Sequence, residues 1–133
     1  MVPNKEKLEE IIRSLQVIMR IQDWDIEFEY LSAVEMYNAA GDITTIASCE
    51  RDRAHLLALI RFNYEGDKTG DVVGGWYHTI VHEMFHIVVD VFDESDTSNL
   101  QKEKLINNLT RIFVSLYPVT NFIKEVQNAT EQS

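Results

Sequence analysis

Thr79-Ile80-Val81-His82-Glu83-Met84-Phe85-His86-Ile87-Val88-Val89-Asp90 decides how the rest of the chain is read. His82 and His86 are four residues apart, so in a helix both imidazoles leave one face a turn apart and can hold one zinc ion. Glu83 follows the first histidine and can reach the metal's open position, where it would take a proton from bound water. The flanking Ile80, Val81, Met84, Phe85, Ile87, Val88, Val89, Val91 and Phe92 are apolar nearly all round the helix, which predicts a buried helix. With 4 His in 133 residues, the five-residue pattern His-Glu-x-x-His arises by chance about 0.01 times. The competing reading is a buried helix whose histidines are satisfied by ordinary hydrogen bonds. Two imidazoles and a carboxylate in an apolar shell cost several kcal/mol unless each finds a partner, which favours the metal.

The 133 residues, 45% of them apolar, suit one domain with one core over 1–133. No apolar run reaches the length of a membrane span. The polar start Met-Val-Pro-Asn-Lys-Glu-Lys leads directly into an amphipathic pattern, so no secretory signal is read and a cytoplasmic location is expected. Cys49 is the single cysteine and is read as a small buried hydrophobe. Without an export signal, the sequons at Asn108 and Asn128 carry no weight. A formal net charge of −10 with no basic patch argues against nucleic acid as a partner. The acidity is read as solubility first, with a basic peptide substrate as the further option.

Outward from the histidine stretch the periodicities alternate. Leu8, Ile11, Ile12, Leu15, Ile18 and Met19 predict an amphipathic helix that covers a sheet, starting near Pro3 and Asn4. From Asp23 to Leu31 the period changes to two, with Trp24, Ile26, Phe28 and Tyr30 on one face and acids on the other, which predicts a strand. Ser32 to Asn38 reads equally as a short helix or a loop. Gly41-Asp42 signals a turn. Ile43 to Glu50 reads as a second strand, Arg51-Asp52-Arg53 as a polar turn, and Ala54 to Phe62 as a third strand closing a hairpin. Asn63 to Gly75 holds four of the five glycines and reads as a connecting loop. After a polar turn at 92 to 99, Leu105, Leu109, Ile112, Phe113 and Leu116 predict a second amphipathic helix ended by Pro118. One more short helix is possible up to about 127, before a frayed tail at 128–133. The class is α+β, with a three-stranded mixed or antiparallel sheet.

A catalytic zinc normally takes three protein ligands, and no histidine follows His86. Asp90 and His78 extend the four-residue series, but each lies about 6 Å along the axis from the nearer ligand. His55 falls on the third strand, read here as an edge, and is assigned a structural role. Glu103, on a following helix packed antiparallel, can swing its carboxylate back toward His82 and His86. It falls at the border of that helix's apolar stripe, next to Ile106, and is the leading candidate. Asp90, Asp93 and Glu94 are alternatives, as is a histidine. Asn107, one turn after Glu103, can orient it, and His78 can line the cleft toward a substrate.

A His-Glu-x-x-His helix followed by a second helix carrying a glutamate resembles the gluzincin clan of zinc peptidases. The size and the polar start resemble the minigluzincins and the compact metallopeptidase-like proteins of phages and prophages. Residues 79 to 90 carry the specific likeness, and Glu103-Lys104-Leu105-Ile106-Asn107-Asn108-Leu109 a weaker one. The resemblance implies a small zincin-like domain and a cytoplasmic protein of a bacterial host cell, of phage or prophage origin. It implies His82, His86 and Glu103 as ligands of one Zn2+ and Glu83 as general base and acid. The substrate would be a peptide or protein held by strand addition along residues 54 to 62, with neither nucleic acid nor membrane as partner. The spacing from His86 to Glu103 is short for the clan. Of Tyr77, His78, Tyr64 and Tyr117, none stands out as the group that steadies the tetrahedral intermediate. The competing function is a catalytically silent zincin-fold protein that binds or regulates a partner, from which Glu83→Gln discriminates catalysis.

Overall fold

Alternation in Asp25–Leu31 turns Ile26, Phe28 and Tyr30 to one face and Asp25, Glu27 and Glu29 to the other, and this strand, β1, forms one side of the sheet. A computed structural model describes residues 2–41, 46–66, 75–92 and 99–123, of which 91 and 92 are described in their backbone only. The element order is α1 (Lys5–Met19), β1 (Asp25–Leu31), α2 (Ala33–Ala40), β2 (Ala47–Asp52), β3 (Leu57–Asn63), α3 (Gly75–Phe92) and α4 (Asn99–Leu116), then a 3-10 turn at Val119–Asn121. The architecture is α+β, with a three-stranded mixed sheet and four α-helices among the described residues.

The sheet order is β1-β3-β2, with β1 parallel and β2 antiparallel to β3. The hairpin read from the sequence is present, but β3 is the central strand. The expectation that a peptide adds along residues 54 to 62 is therefore corrected: β3 spends both hydrogen-bonding edges on its neighbours, and β1 and β2 are the edge strands among the described residues. β1 and β3 also start later than read, at Asp25 and Leu57. β2 runs through Arg51 and Asp52, and the turn occupies 53–56, where Leu56 takes a left-handed φ of 53°. His55 lies in this turn, exposed, with its ring 2.8 Å from Asp52 Oδ2, and not on a strand.

α1 is capped by Asn4, whose Oδ1 accepts from the Lys7 amide at 2.9 Å. Its Leu8, Ile11, Ile12 and Leu15 are buried with Ile60 and Phe62 of β3 and Ile80, Val81, Met84 and Ile87 of α3. Each such side chain contributes roughly 1.5–3 kcal/mol on leaving water. Ser32 to Asn38, left open above, is α2: the Ser32 hydroxyl accepts from the Glu35 amide while Glu35 accepts from the Ser32 amide.

On α4 the buried residues are Ile106, Thr110 and Phe113, whereas Leu105 and Ile112 are 48% and 53% exposed. Of the stripe read from the sequence, Phe113 is buried and Leu109 packs partly against the core, while Leu105, Ile112 and Leu116 are turned away from it. Thr110 tolerates burial because its hydroxyl donates to the Ile106 carbonyl at 2.7 Å. Among the expectations that fall outside the described residues are the start of the second strand at 43–45, Gly70 and Gly74, Asp93 and Glu94, and the tail 128–133.

Candidate metal centre

Trp76, Tyr77, Ile80, Val81, Met84, Phe85 and Ile87 bury α3, so its polar residues 82, 83 and 86 are carried into the protein with it. His82 and His86 stand with ring centroids 5.1 Å apart. One donor atom each from His82, Glu83 and His86 lie within 4.8 Å of one another, the one such convergence of three metal-capable groups among the described residues.

α4 runs back along α3. Glu103 meets His82 and His86, the Phe113 ring meets Phe85 at 5.6 Å, and the Tyr77 hydroxyl donates to the Tyr117 carbonyl at 2.6 Å. This antiparallel packing delivers Glu103, whose Oε1 is 3.2 Å from His86 Nε2 and whose Oε2 is 3.5 Å from His82 Nε2. Glu103 lies one turn before Ile106, on the inward face, with its side chain 47% exposed. Asn107 is also present, but its hydrogen bond is to His82. His78 is exposed one turn before His82. Asp90 is engaged elsewhere: its Oδ1 lies 3.6 Å from Arg51 Nε, and its carbonyl accepts from Arg53 at 2.9 Å.

Arg51 is the residue the sequence reading assigned to a turn and passed over. It lies on β2, on the same face as Ala47 and Cys49, and a cleft of about 120 Å³ is bounded by Arg51, His86, Val89, Asp90, Glu103 and Ile106. Only its period-two relation to Ala47 and Cys49 signals this in the sequence.

Burial lowers the basicity of both histidines, against the opposing pull of the Glu103 charge, and so favours neutral imidazole, the form that ligates a metal. Burial, reinforced by the Glu103 charge, pushes the Glu83 carboxyl up to about 7, while Arg51 pulls it the other way. A base poised near 7 suits proton transfer at neutral pH. Burial pushes the nearby Cys49 thiol up to about 12, which favours the protonated thiol.

Two imidazoles and a carboxylate are a donor set of catalytic zinc. Donors at zinc-ligand distance and tetrahedral angles stand about 3.3 Å apart; Glu103 turns Oε1 to His86 at 3.2 Å and Oε2 to His82 at 3.5 Å, one oxygen toward each imidazole. By donor type, the residues could hold one metal ion. Of the groups considered for steadying an oxyanion, Tyr77 is bound to Tyr117, Tyr64 stacks on Tyr30, and Tyr117 stacks on Phe113. His78 is left as the exposed group beside the histidine pair. No helix among the described residues is long and apolar enough to cross a membrane. Comparison with protein-family models, with curated proteins and with solved structures found no match.

Proposed function

We propose that this chain is a zinc-dependent peptidase of zincin type. The observation that carries the reading is the position of Glu103, within 3.2 and 3.5 Å of the two imidazoles, while Glu83 stands buried beside them. His82, His86 and Glu103 would hold the ion, which when bound supplies Lewis-acid polarisation of the scissile carbonyl and acidification of water. Glu83 takes the proton of the attacking water as its oxygen bonds to the carbonyl carbon. The same carboxyl then hands that proton to the amide nitrogen as the C–N bond breaks. Neutral imidazoles and a Glu83 carboxyl near 7 support this division of labour. His78 is the proposed contact for the substrate carbonyl. The peptide would lie along the free edge of β2, which borders the cleft through Arg51.

The test is metal content on protein purified without a His tag, followed by a peptide-library digest. About one zinc per chain is expected in wild type, with loss in His86→Ala and in Glu103→Ala. Glu83→Gln should keep the metal and lose cleavage by at least about a hundredfold. Absence of zinc from wild type after zinc is added back would end the enzyme reading and leave a scaffold that binds a partner.

A further inference from the structure

Two arginines of the sheet are held in different ways. Arg61, on β3, has a side chain 17% exposed; its Nη1 donates to Glu50 at 2.7 Å, and Glu29 stands 3.7 Å from its Nε. Arg51, on β2, pairs across with Ala58, which puts it on the opposite face of the sheet, toward α3 and the metal residues. Its Nη1 donates to the Cys49 carbonyl at 3.3 Å, its side chain also bonds the Cys49 thiol, and its Nε lies 3.6 Å from Asp90 Oδ1. A charge-assisted hydrogen bond closes to roughly 2.7–2.9 Å, and a guanidinium grips a carboxylate best with two parallel N–H groups. Arg61 makes such a short bond. Asp90 offsets the charge of Arg51 from beyond that range and leaves the two-pronged grip unused.

The cleft that Arg51 shares with His86 and Glu103 holds about 120 Å³, the room of about four water molecules. It accepts the end of a chain or one short side chain. Asp90 from α3 and Asn99 and Lys102 from α4 also line it. The Arg51 charge reaches the reacting groups: it disfavours the charged form of His86 and favours that of Glu83. An ion held by His82, His86 and Glu103 would offset the two carboxylates beside it. Of the charged residues that border the cleft, Arg51 and Lys102 would then stand against Asp90. That balance accepts an anion, within a chain whose net charge is −10. Lysine would supply charge alone, whereas arginine adds the planar fork that fits two carboxylate oxygens.

We infer that Arg51 determines specificity: its guanidinium takes a carboxylate of the substrate close to the bond presented to the metal. Two sources offer the same pair of oxygens, the C-terminus of a short peptide and the side chain of an Asp or Glu, and separate probes distinguish them. The inference deepens the peptidase reading by naming a substrate class. It rests on that reading for the scissile bond, and not for the grip on the carboxylate.

Binding is measured by fluorescence anisotropy with zinc-loaded Glu83→Gln protein. The probe is N-terminally labelled Gly-Ser-Ala-Val-Leu-Ala-Val as the free acid, as the C-terminal amide, and as amides in which Glu replaces one of the last four residues in turn. At least one acidic form should bind about tenfold tighter than the neutral amide, or more. A gain in the free acid assigns the grip to the C-terminus, and a gain in one of the Glu amides assigns it to a side chain. Adding Arg51→Gln should remove the gain, and adding Arg51→Lys should remove most of it, because the fork is lost. Retained zinc in both variants checks that they fold. Equal affinity of acidic and neutral probes (too weak to measure included), or a gain that survives Arg51→Gln, overturns the inference. So does a loss in Arg51→Gln spread evenly over all probes, which would mark a positioning role. Wild-type protein cleaving acidic and neutral probes at equal rates would overturn it while leaving the peptidase reading intact. Acid-selective binding that depends on Arg51, without cleavage by wild type, would uphold the grip and end the peptidase reading.

Discussion

Glu83 is the one acidic residue buried among the described residues, 7% exposed, and it stands beside two imidazoles and a second carboxylate. Its carboxyl titrates at about 7 in the folded chain against 4.5 for the free group. The folded state therefore holds this proton more tightly than the unfolded state does. Below about pH 4.5 both states are protonated and the group costs nothing in linkage terms. As pH rises from there to about 7 the unfolded chain ionises first, and stability falls. In metal-free protein, Glu83→Gln should match wild type at pH 4 and exceed it by about 3 kcal/mol at pH 8. Urea unfolding at the two pH values checks this. An equal gain at both would mean a packing effect and not relief of a buried charge. A residue that opposes folding at neutral pH and stays in place is the kind found at functional sites.

At the scale of the element, α4 shows how an amphipathic pattern can be legible in kind and only partly right in phase. The stripe Leu105, Leu109, Ile112, Phe113 and Leu116 shares Phe113, and in part Leu109, with the buried face, which Ile106 and Thr110 complete. Two large aliphatics at about half exposure are ordinary on a protein surface. A threonine bonded to its own helix backbone passes for polar in a sequence. Ile106→Ala should destabilise by about 2–5 kcal/mol, whereas Leu105→Ala and Ile112→Ala should each cost under about 1 kcal/mol. Thermal or chemical unfolding of the three variants settles the phase. A ranking with Leu105 or Ile112 as the costliest would refute the orientation of α4, and with it the approach of Glu103 to the histidines. α2 stayed undecided between helix and loop for a different reason: its eight residues bury only Met36, and the Ser32–Glu35 capping pair was its one local sign.

At the scale of the molecule, the proposed ion makes stability depend on metal. In its absence the cleft gathers two imidazoles and the Glu83 and Glu103 carboxyls, with Arg51, shared with Asp90, and Lys102 as cations at its border. A divalent ion would balance the two carboxylates. Zinc at a hundred times its Kd should raise the unfolding free energy by about 2.7 kcal/mol, and a chelator should remove the gain. Differential scanning calorimetry of wild type, His86→Ala and Glu103→Ala reads it, with no zinc-dependent shift expected in either variant. A shift that survives in both variants would place any metal site elsewhere.

The sequence by itself determined what depends on neighbours within one element. The four-residue interval that turns His82 and His86 to one side, the apolar surroundings that bury α3, the extent of α1 and the alternation of β1 are all written in local spacing, because helix and strand periods are set by the backbone. Tertiary structure alone decided what depends on partners distant along the chain. That β3 is central and β2 an edge strand, that Arg51 faces the cleft, and that the inward side of α4 carries Glu103 to 3.2 Å from His86 follow from how faces pack across many residues. Burial is a property of such pairings: one strand may sit at an edge or in the middle, and one helix may turn either of two apolar stripes inward, with no change in its own period.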